Sequence, residues 1–216
     1  MKERREREKL EQRQRILNAA LEIISKEGFA ALTMRKLAER IEYSAATIYL
    51  SFKSREEIAQ ELCEEGFLEL LDALSAAGSG KQATEALHAL SGAYVAFGLL
   101  HPEIYRLIFM GDSEYMTAAY AEKGPDSAAA KAYGILVELA GQLKAVGKVN
   151  KEIELTTIAD MIWSMLHGIV SLRITCAGFQ RSSPEALTTL AAEVIAKGLD
   201  CAPSKLKASI RLKKHG

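Results

Sequence analysis

Residues 32–58, LTMRKLAERIEYSAATIYLSFKSREEI, leave this chain little freedom of local structure. Three hydroxyl residues, Thr33, Ser44 and Ser54, each stand just before a run that suits a helix. A Ser or Thr there accepts a hydrogen bond from the orphan N–H groups of the first turn. The segment is thereby cut into a short helix, MRKLAERI, a second, AATIYLSF, and the start of a long third. Ser54 and Glu57 have the spacing of a capping box for that third helix, expected over 54–76. Leu37, Ala38 and Ile41 face inward from the first helix, and Ile48 and Phe52 from the second.

The same helical period runs through the rest of the chain. Ile16, Ala19, Ala20, Ile23 and Ile24 form an apolar stripe that stops at Gly28, a C-cap residue. Residues 1–15 are a charged extension that reads as solvated helix or, alternatively, as an arm using Arg4, Arg5 and Arg7 against a phosphate backbone. AAGSGK at 76–81 marks a boundary between a head, residues 10–70, and a body, residues 78–200. In the body, 82–100 is an amphipathic helix, Pro102 opens another, and EKGPDS at 122–127 interrupts the helical region 113–145. Residues 153–179 form a long helix apolar around most of its circumference, and 184–199 follow a serine cap and proline. With 4 prolines in 216 residues and no convincing strand, the expected fold is all-α with about nine helices.

No run of apolar residues reaches the roughly 18 needed for a membrane span, and MKERREREKLEQRQR has no apolar signal-peptide core. A cytoplasmic location and no membrane partner are expected. Cys63, Cys176 and Cys201 are widely spaced and read as structural thiols in a reducing compartment. The net charge is +0, but it is unevenly placed. Residues 1–60 carry 13 Lys/Arg against 10 Asp/Glu, residues 61–204 carry 10 against 18, and residues 205–216 carry 5 against none. A mildly basic head on an acidic body fits one end that meets nucleic acid and one that stays off it. The basic tail, KLKASIRLKKHG, reads as disordered or a frayed helical end.

Two short helices joined by a tight turn suit a helix-turn-helix laid into the DNA major groove. The residues then fall into a longer pattern: Gly28-Phe29, followed by Thr33, Arg35, Leu37, Ala38, Tyr43, Ser44, Thr47, Ile48, Tyr49, Phe52, Ser54, Arg55, Glu56 and Ile58. In that pattern the segment, with its motif at 33–52, resembles the DNA-binding domain of the TetR/AcrR family of bacterial transcriptional regulators. The resemblance implies that Thr33, Ser44, Thr47, Tyr49 and Lys53 meet the phosphate backbone. Ala45 and Ala46 would then open the recognition helix, and Arg35 is the candidate for a polar base contact. Hydroxyls and a point charge suit phosphate oxygens, whereas alanine methyls admit close approach and thymine methyl contact but cannot donate to guanine. The chain departs from the family at Glu42, where glycine is usual, at Ala45-Ala46 in place of Lys-Gly, and at Leu50-Ser51 in place of His-Tyr.

One such motif covers too little DNA for tight binding, so a homodimer on two half-sites is expected. The 153–179 and 184–199 helices are the natural dimerisation pair, with Leu187, Leu190, Ala191, Val194 and Ile195 as a seam. The body holds Tyr94, Phe97, Tyr105, Phe109, Tyr115, Tyr120 and Tyr133, and the long helix adds Trp163 and His167 on one face. Trp163-Ser-Met-Leu-His167-Gly168 resembles a signature of one branch of TetR C-terminal domains. Tyr94, Phe97, Tyr105, Phe109, Trp163 and His167 are the candidate lining of an effector cavity, since apolar walls with a few polar tips suit small molecules. The expected partners are double-stranded operator DNA and an apolar or amphipathic effector. The sequence offers no phosphate loop, nucleophile elbow, acid–base cluster or metal-ligand spacing; an enzyme, a cofactor and a metal are not expected. The reading is a ligand-released repressor; an activator or an effector-independent DNA-binding protein are the alternatives.

Overall fold

A computed structural model describes residues 2–111, 124 and 126–198, and among them the chain is all helix and loop. The order is α1 (Lys2–Glu27), a 3-10 turn (Phe29–Ala31), α2 (Met34–Arg40), α3 (Ala45–Tyr49), α4 (Arg55–Gly78), α5 (Ala83–Leu100), α6 (Pro102–Met110), α7 (Ala128–Ala145), α8 (Leu155–Thr175) and α9 (Pro184–Gly198). Tyr115, Tyr120, Cys201 and the basic tail lie outside the described residues.

The head is closed by the inner face of α1. Ile16, Leu17, Ala20 and Ile23 are buried there against Leu32, Leu37, Ile48 and Phe52. The first half of α1 is exposed helix carrying i,i+4 ion pairs, Arg4–Glu8 at 3.2 Å and Arg7–Glu11 at 3.7 Å. Each of the three hydroxyl caps is in place. Thr33 Oγ1 accepts from Lys36 N–H at 3.1 Å, Ser44 Oγ from Thr47 N–H at 3.1 Å, and Ser54 Oγ from Glu57 N–H at 3.2 Å. Glu57 reaches back one residue further than a standard capping box does. Its Oε2 accepts from the Lys53 N–H at 2.5 Å.

Glu42 closes the turn between α2 and α3 with φ +57, the one non-glycine residue with positive φ among the described residues. The turn lets Tyr43 N–H return to the Ala38 carbonyl at 3.0 Å. A side chain in this left-handed region clashes with its own carbonyl, costing roughly 1–2 kcal/mol, whereas glycine avoids the clash at a smaller entropic cost. Glu42→Gly is therefore expected to stabilise the chain by about 0.5–1 kcal/mol. A rise in the urea midpoint at unchanged slope would show it, and an unchanged midpoint would mean the turn holds no strain.

In the body, α4 packs against α5, α6 and α7, and α7 and α5 both pack on α8. α9 covers α5 and α8, while α6 also touches α1. α4 thus belongs to both halves: its first turn caps the helix-turn-helix and its later turns form a wall of the body core. At Gly98 three helices come close together. A Cβ there would lie 2.5 Å from Val170 Cγ1 and 2.9 Å from the Tyr105 ring, so only glycine lets α5 seat against α6 and α8.

Among the described residues one helix, α8, is long and apolar enough to cross a membrane by length and composition. It carries Asp160 and Arg173 and packs on α5, α7 and α9, with Ile158, Ala159, Ile162, Leu166 and Val170 buried. The outward side of α8 and α9 keeps Leu172, Leu190 and Val194 exposed, with Phe179 beyond the end of α8. Ala191 and Ile195, expected in the outer seam, instead turn into the chain's own core at 6% and 2% exposure. On a helix of period 3.6 they lie about 100° around the axis from Leu190 and Val194 respectively, which carries them off the outward face.

Candidate functional site

The helix-turn-helix presents one continuous outward face. Thr33, Arg35, Ser44, Ala45, Ala46, Tyr49 and Lys53 are exposed, and Thr47 is half-buried at its edge. Tyr49 keeps 55% of its surface free, whereas Phe52, one turn on, is 1% exposed and locks α3 to the core. The caps do not use up the hydroxyls. Thr33 Oγ1 accepts through a lone pair, and its O–H stays available for an outside acceptor. Ser44 Oγ and Thr47 Oγ1 stand 2.7 Å apart; one O–H is used between them and the other is free. Arg35 leans on Glu39 at 3.2 Å with 89% of its side chain exposed, a pair loose enough to exchange for another anion. Leu50, the last residue before the turn, adds an 88% exposed apolar side chain beside Tyr49.

Behind this face, two arginines fix the short helices. Arg13 on α1 makes a fork with Glu61 on α4: Nε donates to Oε1 at 2.6 Å, and the second terminal nitrogen donates to Oε2. Its remaining terminal nitrogen donates to the Ser51 carbonyl at 2.7 Å, just past the end of α3, and its guanidinium lies 4.0 Å over the Phe52 ring. The Glu61 carboxylate holds the Arg13 pKa above its ordinary value. Arg55 does a similar task on the other side. It reaches the Ala30 and Leu32 carbonyls at 3.4 and 3.3 Å and sits 4.9 Å over the Phe29 ring.

The body encloses a cavity of about 580 Å³ between α4, α5, α6, α7 and α8. Phe67, Leu70 and Leu74 come from α4, Ile108 and Phe109 from α6, Ala132 and Leu136 from α7, and Trp163, Ser164 and His167 from α8. Among the described residues no Lys, Arg, Asp or Glu lines it. Three of its polar lining residues, Trp163, Tyr94 and His167, join in one chain through the Tyr105 hydroxyl. Trp163 Nε1–H donates to Tyr94 Oη at 2.9 Å, Tyr94 and Tyr105 hydroxyls stand 3.0 Å apart, and Tyr105 Oη lies 2.6 Å from His167 Nδ1. An indole nitrogen can only donate, so Tyr94 accepts from it; the direction that leaves no hydroxyl hydrogen without an acceptor has Tyr94 donate to Tyr105 and Tyr105 donate to Nδ1. In this direction every hydroxyl hydrogen has an acceptor, and the ring proton of His167 sits on Nε2. Burial pushes the Tyr94 hydroxyl up to about 12, raises that of Tyr105, and lowers the His167 imidazole below its ordinary value. All three groups are thereby held neutral near pH 7.

Of the six residues the sequence nominates here, Tyr94, Phe109, Trp163 and His167 line the cavity. Tyr105 does not: it is fully enclosed behind His167 and is tied to the wall by its hydroxyl. Phe97 is also buried outside the lining, with its ring 5.5 Å from that of His101. Phe109 sits among the others, its ring 4.8 Å from Tyr105 and 5.9 Å from both Trp163 and His167. The α4 wall was not foreseen, because Phe67, Leu70 and Leu74 have the spacing of any core stripe. Tyr133, known from sequence only as one more aromatic, stands in the lining with its hydroxyl on Asp160 Oδ1 at 2.7 Å. Among the described residues no group of three His, Cys, Asp or Glu is placed to hold a metal ion.

The family profile described as bacterial regulatory proteins, tetR family, matches residues 16–62. A second, described as tetracyclin repressor-like, C-terminal domain, matches residues 87–197. The chain is 26% identical over 168 residues to Rv0681, an uncharacterised HTH-type transcriptional regulator of Mycobacterium tuberculosis, covering 76% of this chain and 70% of that protein. It is 38% identical over 48 residues to YvkB, an uncharacterised HTH-type transcriptional regulator of Bacillus subtilis, covering 22% of this chain and 25% of that one. Among solved structures it is similar to a Rhodococcus sp. RHA1 protein of unknown function, with TM-score 0.67, 26% identity and coverage of 88% and 95% of the two chains. It shares its fold with the fatty acid degradation regulator FadR of Bacillus halodurans, at TM-score 0.71, 19% identity and coverage of 87% and 95%.

Proposed function

The chain belongs to the TetR family of bacterial regulatory proteins, and we propose that it is a homodimeric repressor released from its operator by a small molecule held in the body cavity. As a member of that family it is a DNA-binding transcriptional regulator and not an enzyme. The observation that carries the proposal is the shared role of α4. Its capped first turn adjoins the recognition helix α3, and Phe67, Leu70 and Leu74 further along the same helix line the cavity. α6 gives a second path, since Ile108 and Phe109 line the cavity while the helix packs on α1. A ligand that presses on these walls is placed to shift an element that ends at the DNA-facing surface.

Thr33, Arg35, Ser44, Ala45, Ala46, Thr47, Tyr49 and Lys53 form the operator contacts in this reading. Tyr94, Phe109, Trp163 and His167 contact the effector directly, with Tyr105 positioning His167 and Phe97 packing behind the wall. The exposed Leu172, Leu190 and Val194 on α8 and α9 supply the apolar face on which a second copy docks, in the cytoplasm with the chromosome.

Selection from random DNA by the purified protein is expected to return a two-fold-related sequence. Lys53→Ala is expected to weaken binding to all sequences alike and to reduce the salt slope by about 2, one phosphate contact being lost from each protomer of the dimer. Recovery of sites without two-fold symmetry would reject the dimeric reader. A coupling of about 1–3 kcal/mol between cavity and operator corresponds to a 5–150-fold change in affinity, and DNA must weaken the ligand by the same factor.

A further inference from the structure

The chain of hydrogen bonds at the back of the cavity has one direction in which every hydroxyl hydrogen finds an acceptor, and that direction selects a ligand. It begins at the Trp163 N–H, which cannot accept, and runs through Tyr94 and Tyr105 to His167 Nδ1 as the acceptor. The proton of the neutral imidazole is left on Nε2. His167 lines the cavity, and Nε2 has no partner among the described residues. The hydroxyl of Tyr94 and the indole N–H are already engaged with each other, the Tyr133 hydroxyl donates to Asp160, and the Ser164 hydroxyl is an exposed lining group. The cavity therefore offers a donor at Nε2 against predominantly apolar walls.

We infer that the effector is an uncharged, mostly apolar molecule that places one acceptor oxygen, of the ketone, ester or amide kind, on His167 Nε2. This rests on the reading of the cavity as the effector site. A carboxylate of the same size is disfavoured because it would need a buried cation. Among the described lining residues His167 is the one that can become one, and protonation puts a hydrogen on Nδ1 that turns the Tyr105 hydroxyl from donor to acceptor. Tyr105 would then have to donate to Tyr94, which already accepts from Trp163, and the Tyr94 O–H would lose its acceptor. The neutral imidazole and the uncharged ligand are thus favoured by the same arrangement. Tyr105 acts here as a positioning residue: it touches no ligand and sets which His167 nitrogen faces one.

Trp163 is the one tryptophan in the chain, so its fluorescence reports the cavity directly. The full chain is titrated at pH 7.5 with 2-decanone, methyl nonanoate, nonanoate and decane. The ketone and ester are expected to bind about tenfold more tightly than either the carboxylate or the alkane. His167→Phe should remove the advantage of ketone over alkane, and His167→Gln, which keeps an N–H, should restore part of it. Tyr105→Phe frees the other tautomer, so 1-decanol should gain on 2-decanone although the substituted side chain lies outside the lining. Tighter binding of nonanoate than of methyl nonanoate, a ketone advantage that survives His167→Phe, or no binding by any member of the series overturns the inference. Operator release is measured separately on the same samples. Binding of the ester without release would reject the switch and leave the ligand class standing, whereas release driven best by nonanoate would reject the class and leave the switch.

Discussion

Arg13→Ala is expected to lower the stability of the chain by about 2–3 kcal/mol and to weaken operator binding as well. The residue makes three different contacts that end on one short stretch. Its fork on Glu61 joins α1 to α4, its bond to the Ser51 carbonyl ties down the residue after α3, and its guanidinium covers the Phe52 ring. Both ion-pair partners are about 30% exposed, at 31% and 29%, so water screens the pair only in part. Deleting the arginine leaves a half-buried carboxylate and a carbonyl without partners, which costs more than the pair itself contributes. The stacked ring contact adds about 0.5–1 kcal/mol. Arg13→Lys should rescue little, because an ammonium is a point charge that cannot serve two oxygens and a carbonyl while lying flat on a ring. A double-mutant cycle with Glu61→Gln, read by urea unfolding, isolates the pair. A loss under about 0.5 kcal/mol for Arg13→Ala would place it with ordinary surface ion pairs.

Arg13 also marks a limit on what the sequence made legible. It lies in the charged run 1–15 that reads as solvated, because its partner Glu61 is far along the chain and an arginine before an apolar stripe has no periodic signature. Local signals fared better. Thr33, Ser44 and Ser54 were readable as caps because an N-cap is decided within four residues, and each makes the expected bond. Glu42 stood out through the resemblance, as a residue where the family usually has glycine, and its φ of +57 is the conformation that glycine would take more easily. Core against seam on α9 was not: the period places Ala191 and Ile195 on a face, but only the position of α5 says which face is inside. The same holds in the cavity. Trp163 and His167 share a face by spacing alone, while the bonds from them to Tyr94 and Tyr105 depend on the close seat of α5 and α6 that Gly98 permits. The departures at Ala45, Ala46 and Leu50 were visible at once, and all three are exposed residues of α3 and its C-terminal end.

Ala132→Phe is expected to leave a repressor that holds its operator and no longer answers to ligand. Ala132 is 4% exposed on α7 and lines the cavity, facing empty volume rather than a packed neighbour layer. A phenyl group built from it enters that volume next to Phe109 and Leu70, so it gains apolar contact instead of overpacking the core. Cavity filling of this kind commonly adds about 0.5–2 kcal/mol of stability. A ligand must then displace the new ring or find another place, and its affinity should fall at least about a hundredfold, close to 3 kcal/mol. The DNA-facing residues are untouched, and α4 keeps its cap and its packing, so operator affinity should stay within about twofold of the parent chain. Trp163 fluorescence titration reads the first quantity and operator titration the second. The pairing of the two results carries the meaning. Lost ligand binding with retained operator binding identifies the cavity as the effector site, because a general loss of fold would remove both. Ligand-driven release that survives the substitution would place the effector elsewhere in the body, and the shared role of α4 would then have to be read as packing alone.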